Sequence, residues 1–372
     1  MLFLGPSNIH VVGRHVVNEE DELMFDWPAV RVSVRVQQTS RVHVLMDGGG
    51  AYFDVYSDGF CFMTLRTQKG EGIIRYELAS DLNTHQSHTI TLVKRTEPHL
   101  QTSILRYECV RLRGFTVDGS SSSSGDDDII VPPPSSRRRI EFVGDSDLTG
   151  FGAMCRDPRG IMMRPELQNA DISFGAVCAR LLDAEYHIIA ASGRGLCRQL
   201  SLALGFSHIS DLYPRAVCTE PHLGECDWQK TRPDVVLIYC GANDFCTPLI
   251  PSPSVEQFAQ AYSDLVRLVR SRRPDSHIVC MTLSRYSNLS GVQYDSNEQR
   301  QAHDHLCRGI YLAVSSLCTS LQNISVVTLA LDQDLQEHAD FGLLHHWTKS
   351  GHKKVGEALA RALRERLSPT VI

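Results

Sequence analysis

Up to about residue 117 the chain alternates apolar and polar positions with a period of two, the spacing at which a β-strand buries one face and wets the other. Residues 30–36 read Val-Arg-Val-Ser-Val-Arg-Val, and residues 41–46 and 88–93 repeat the pattern. In Leu105-Arg106-Tyr107-Glu108-Cys109 it turns Leu105, Tyr107 and Cys109 inward and leaves Arg106 and Glu108 in water. Turn-forming clusters at residues 47–50 and 57–59 separate the runs, so short strands building a β-sandwich or jelly roll are predicted over residues 1–117. Residues 118–138 break the pattern with a run of five serines (120–124), a run of three aspartates (126–128), three prolines (132–134) and the start of a basic run. Such a segment offers little apolar surface to bury and is expected to be a mobile linker.

From residue 139 the periodicity changes. Apolar runs at 140–143, 187–191, 234–240, 277–281 and 325–329 alternate with helix-like stretches at 173–184, 254–272, 298–318 and 352–367. Strands this uniformly apolar need cover on both faces, which predicts an α/β domain over residues 139–372: a parallel sheet between two helical layers. In that architecture ligands bind beyond the carboxyl ends of the strands.

Composition narrows the function classes. Among 372 residues, 37 basic and 43 acidic side chains give a net charge of -6, which carries no nucleic-acid footprint. No apolar run approaches a membrane span, and the N-terminus lacks the basic region and apolar length of a secretory signal. A cytoplasmic location is therefore the expectation, with secretion the alternative. Twelve cysteines without a CxxC pair read as small core hydrophobes, although Cys218 and Cys226 could bridge in an exported chain, and Asn288 and Asn323 open formal glycosylation sequons. No metal or other cofactor is expected: His303 and His305, two apart on a helix, point in different directions. Oligomeric state is left open.

The strand ends hold the candidate chemistry. The first run stops at Gly144-Asp145-Ser146, handing a hydroxyl to the following loop, so Ser146 is the candidate nucleophile. The second ends in Ser192-Gly193-Arg194-Gly195, where small residues let backbone N–H groups approach a ligand. The third ends in Gly241-Ala242-Asn243-Asp244, whose carboxamide can donate to an oxyanion, while Asp244 is expected to organise the loop. The stretch from His345 to His352 opens the last helix and supplies an imidazole. Taken singly, Gly193 reads as a turn glycine and Asn243 as a turn cap.

Together these blocks resemble the SGNH/GDSL hydrolases. With Phe25-Asp26-Trp27-Pro28, residues 92–97 (Leu-Val-Lys-Arg-Thr-Glu) and Ala184-Glu185-Tyr186-His187, the chain is similar to carbohydrate esterase family 2, in which a jelly roll precedes the SGNH domain. The resemblance implies removal of acetyl groups from sugar hydroxyls, in xylan, other polysaccharides or simple glycosides. It selects His346 as the base, because Gly351-His352 follows at the family's spacing, and leaves His345 and His352 as surface or helix-start residues. The oxyanion hole would then combine the N–H groups of Ser146 and Gly193 with the Asn243 side chain. The sequence also departs from the family. Trp347 stands where a Pro is usual, Leu343 stands where an orienting Asp is common, and Asp147 replaces an apolar residue and is expected to point away from the developing charge. Either a backbone carbonyl holds the imidazole in a Ser-His dyad, or Asp340 reaches it from farther back. The rival readings are a carbohydrate-binding protein that has lost hydrolysis and a lipid or thioester esterase on the same fold.

Overall fold

In the computed structural model the described residues are 2–98, 109–118, 129–130, 138–155, 164–198, 207–246, 251–284, 297–331, 334–367 and 371. They fall into two compact units. The first holds the N-terminal strands and also Arg215–Cys226; the second holds the rest of the C-terminal half.

The first unit is built from strands β1 (Leu2–Leu4), β2 (His10–Val12), β3 (Val16–Val17), β4 (Leu23–Phe25), β5 (Arg31–Val36), β6 (Val42–Asp47), β7 (Tyr52–Ser57), β8 (Phe60–Arg66), β9 (Ile74–Ala79), β10 (His88–Lys94), β11 (Val110–Val117) and β12 (Ile129–Ile130). One antiparallel sheet has the order β3-β4-β11-β6-β9 with β1 beside β11, and the other has the order β12-β5-β10-β7-β8 with β2 beside β5. The period-two reading of β5 holds: Val32, Val34 and Val36 are buried, and in the same core Phe25 and Phe53 meet edge to face at 6.5 Å. Within the segment expected to be a linker, Ile129–Ile130 pairs antiparallel with Val36 and Arg35 of β5; residues 119–128 and 131–137 lie outside the described residues. Of the strand expected at residues 105–109, only Cys109 is described, and it is buried just before β11. Asp26 is also buried, and its carboxylate accepts the backbone N–H groups of Cys218 and Thr219 and the Thr219 hydroxyl, each at 2.7 Å. That grip accounts for Arg215–Cys226 clustering with the sandwich.

The second unit carries a parallel sheet of β13 (Arg139–Gly144), β14 (Glu185–Ala190), β15 (Val235–Tyr239), β16 (His277–Leu283) and β17 (Ile324–Leu329), in the order β14-β13-β15-β16-β17. Every residue of β14 and β15 is buried, so both faces are covered, as the apolar runs require. Helix α2 (Phe174–Leu181) packs with α8 (Lys349–Arg366), and α5 (Val255–Arg272) with α6 (Asn297–Leu317), while α3 (Ile209–Leu212) and α7 (Glu337–Asp340) are single turns. Local chemistry sets their ends. Ser254 and Gln257 form a reciprocal capping box at the start of α5, and Pro274 follows its last turn. Glu141 interrupts the apolar run of β13 because its carboxylate is matched in the interior. It accepts from Tyr213 Oη at 2.8 Å and from Arg273 Nη2 at 3.0 Å. Among the described residues no helix is long and apolar enough to cross a membrane.

Candidate active site

The parallel sheet delivers the site at its carboxyl edge. β13 must end in glycine: a Cβ on Gly144 would lie 2.1 Å from the Tyr239 carbonyl oxygen of the neighbouring strand. The chain then turns through Asp145 into the single helical turn α1 (Ser146–Thr149), which Gly150 closes in the left-handed conformation. The Phe151 N–H donates to the Ser146 carbonyl at 3.1 Å, folding the chain back beside the nucleophile candidate.

His346 follows the turn Leu343–His345, in which Leu344 and His345 both have positive φ, 48° and 60°. Two consecutive non-glycine residues in this region carry strain, of a kind concentrated at functional sites. The turn brings His346 Nε2 to 2.9 Å from Ser146 Oγ across 200 residues of sequence. On the other edge of the ring, Nδ1 lies 3.1 Å from the Leu343 carbonyl oxygen. A carbonyl can only accept, so Nδ1 bears the proton and Nε2 is left to accept from the serine hydroxyl. Burial pushes His346 down to about 4; the bonds to the Leu343 and Leu344 carbonyls oppose that shift, and His345 adds to it. The ring is thus a neutral base at ordinary pH. Phe151, fully buried, lies against it with ring centroids 4.5 Å apart.

Gly193 sits in the turn after β14 with φ of 75°, a conformation that favours glycine. Its neighbours tie that turn to the site. Ser192 Oγ is 3.2 Å from Thr149 Oγ1, and the Arg194 carbonyl accepts from Asn243 Nδ2 at 3.1 Å. Asn243 lies on α4 (Ala242–Phe245) and also donates to Asp145 Oδ2 at 3.0 Å. Asp244 collects the backbone N–H groups of Leu196, Cys197 and Arg198, so the loop it organises is the one after β14 rather than its own. Asp145 borders an apolar cavity lined by Tyr239, Met281, Leu306 and Ile310. Burial, followed by the charge of Asp147, raises its carboxyl well above the usual range.

The expectation for Asp340 is not met, and of the two readings of His352 the helix-start one holds. Asp340 is not directed at the imidazole: its Oδ2 accepts from Lys354 Nζ and from the Gln336 N–H, each at 2.7 Å, while the Leu343 carbonyl holds the ring. His352 is not a surface residue. It is fully buried at the start of α8, its Nδ1 accepts from the Phe174 N–H at 3.2 Å, and burial pushes it down to about 3. Asp147 is buried and near enough to act on Asp145. Trp347, in place of the usual Pro, stacks on Tyr239 and meets Phe174 edge to face, filling the core beneath the site. Sequence reasoning missed Phe151, whose only signal was an apolar residue held between Gly150 and Gly152. Among the described residues no group of three or more His, Cys, Asp or Glu side chains could hold a metal.

Residues 142–354 match the model of the GDSL-like lipase/acylhydrolase family, and residues 11–114 match that of the carbohydrate esterase 2 N-terminal domain. The cellulase/esterase CelE of Acetivibrio thermocellus is 27% identical over 342 residues, 92% of this chain; the chain spans only 37% of that protein's length. An acetylxylan esterase/glucomannan deacetylase of Cellvibrio japonicus is 25% identical over 307 residues, covering 80% of this chain and 78% of that protein. Among solved structures, a family two carbohydrate esterase from Clostridium thermocellum in complex with cellohexaose aligns with a TM-score of 0.77 at 23% identity, covering 96% of this chain and 99% of the other. A family two carbohydrate esterase from Cellvibrio japonicus aligns with a TM-score of 0.76 at 21% identity, covering 98% and 96%. At such identities the structural likeness speaks for the two-domain fold.

Proposed function

We propose that this chain, which belongs to the GDSL-like lipase/acylhydrolase family and, through its paired N-terminal domain, to carbohydrate esterase family 2, is a serine esterase that removes acetyl groups from sugar hydroxyls in polysaccharides such as xylan or glucomannan. The observation that carries this reading is the 2.9 Å pair between Ser146 Oγ and His346 Nε2 at the carboxyl edge of the parallel sheet. A hydroxyl is a weak nucleophile until a neighbouring base takes its proton, and an imidazole kept neutral by burial is such a base.

In the first step Ser146 Oγ bonds to the acetyl carbonyl carbon, its proton passes to His346 Nε2, and the carbonyl π pair moves onto oxygen. We assign the stabilisation of that oxyanion to the Ser146 and Gly193 N–H groups and the Asn243 carboxamide, whose Nδ2 exchanges its bond to Asp145 or to the Arg194 carbonyl for one to the oxyanion. The intermediate then expels the sugar oxygen, which takes the proton from Nε2 and leaves an acetylated Ser146. Water activated by the neutral ring repeats the sequence and releases acetate. Nδ1–H stays on the Leu343 carbonyl throughout, so Ser146 and His346 act as a dyad and Asp340 takes no part.

The test is an acetate-release screen over acetylated xylan, glucomannan and acetylated monosaccharides, run with wild type and Ser146→Ala. Turnover that falls by about a thousandfold or more in the variant supports the proposal. Equal rates would leave a carbohydrate-binding protein without hydrolysis. A series of aryl esters from acetyl to octanoyl separates the remaining rival, since rates that climb with chain length belong to a lipid or thioester esterase.

A further inference from the structure

In a Ser-His-Asp arrangement the acid does two things: it fixes the tautomer and plane of the imidazole, and it stabilises the imidazolium formed when the serine gives up its proton. Here the Leu343 carbonyl fixes the tautomer. Carbonyl dipoles such as those of Leu343 and Leu344 offer less to the positive charge than a carboxylate does. The fully buried ring of Phe151 lies against the imidazole at a centroid distance of 4.5 Å and an interplanar angle of 45°. That is within the range in which an aromatic π system attracts a cation, and removal from water strengthens the attraction.

The placement of Phe151 is locally determined. Its N–H is bonded to the Ser146 carbonyl, and its flanking glycines both take positive φ, 65° at Gly150 and 67° at Gly152. A Cβ on Gly152 would come within 2.8 Å of Leu343 Cβ, so the segment runs close to the turn whose carbonyl holds His346. Nucleophile, aromatic ring and imidazole are therefore set by one short piece of chain and the turn packed on it.

We infer that Phe151 is the positioning residue for His346, its ring setting the plane of the imidazole and its π electrons supporting the imidazolium that a carboxylate would otherwise support. The role rests on the dyad hydrolysis proposed above and acts only through His346. Leucine at this position keeps apolar bulk but has no π face, so Phe151→Leu lowers kcat about tenfold, with KM within about twofold of wild type.

The test keeps the shape of the ring and withdraws its electrons. Phe151 is replaced in the full chain by 4-fluoro-, 3,4,5-trifluoro- and pentafluorophenylalanine, and kcat, KM and the pH profile are measured on an aryl acetate. The expected result is a stepwise fall in kcat, KM unchanged, and an acid limb that moves to lower pH with each addition of fluorine, because the protonated ring loses support. The titratable neighbours that act on His346 are His345 and His352, and both are the same in every member of the series. A flat series in kcat and pH profile would overturn the inference while leaving the esterase reading intact. Should the wild type hydrolyse no ester, the esterase reading fails by itself. NMR titration of the His346 ring across the same series then decides, a midpoint that falls with fluorination supporting the π interaction and an unmoved one refuting it.

Discussion

The pH dependence of activity is the sharpest consequence of burying the base. His346 is pushed down to about 4, the largest cause being loss of water around the charged ring. An imidazole with an ordinary value near 6.5 is only about 3% neutral at pH 5, whereas one at about 4 is about 90% neutral, a difference of roughly thirtyfold in competent base. Because kcat/KM reports the free enzyme, its acid limb on a non-ionising aryl acetate should turn near pH 4. The same shift costs stability in acid, and the sign follows from which state binds the proton. His346 and His352 both have folded values below the unfolded one, so their neutral forms contribute fully above about pH 6.5. That contribution is lost as the pH falls toward about 4 for His346 and about 3 for His352. At pH 5 the loss is about 2 kcal/mol from each ring, roughly 4 kcal/mol together, against a usual domain stability of about 5–15 kcal/mol. The fold should therefore survive where the two profiles differ most. The assay is kcat/KM from pH 3.5 to 8 at constant ionic strength, with each sample returned to pH 7 to confirm full recovery. A fully recoverable acid limb centred between pH 6 and 7 would show that the ring is solvated, and the argument from burial would fail.

Three further outcomes follow from the geometry. Asn243→Ala should slow turnover by about a hundredfold or more in kcat, the usual effect of removing one oxyanion donor; a variant within a few-fold of wild type takes Asn243 out of the site. Asp340→Asn should leave kcat within about threefold, because its carboxylate serves Lys354 and the Gln336 N–H; a thousandfold loss in steady-state assays would return Asp340 to the base. Glu141→Leu leaves Arg273 charged and buried, which should cost about 3 kcal/mol or more in urea unfolding, and Glu141→Leu with Arg273→Met should recover most of it; equal stability of the single variant and wild type would refute the pairing.

What could be read from the chain divides along a physical line. Strand periodicity and apolar runs depend on neighbours in sequence, so β5 and the parallel strands were legible, as was a serine at the end of β13. Glu141 could be placed in its strand, but its partners Tyr213 and Arg273 lie 72 and 132 residues away, and no local pattern announces them. The membership of Arg215–Cys226 in the sandwich unit was hidden for the same reason, since it depends on Asp26, some 190 residues earlier.

The missing acid is a different kind of blindness. A motif is written in side chains, and Leu343 lacks the carboxylate that a search for an orienting group looks for. The structure fills the position with the backbone of that same residue, whose carbonyl every amino acid carries and no sequence pattern marks. That carbonyl belongs to a turn in which Leu344 and His345 both take positive φ, uncommon for non-glycine residues, with the His345 ring stacked on Phe341 and Phe151 against His346. The sequence could therefore expose an absent aspartate but not its replacement. In the proposed dyad the catalytic assignment follows from backbone strain and ring packing, and both come into view only when residues 146–152 and 343–347 are seen side by side.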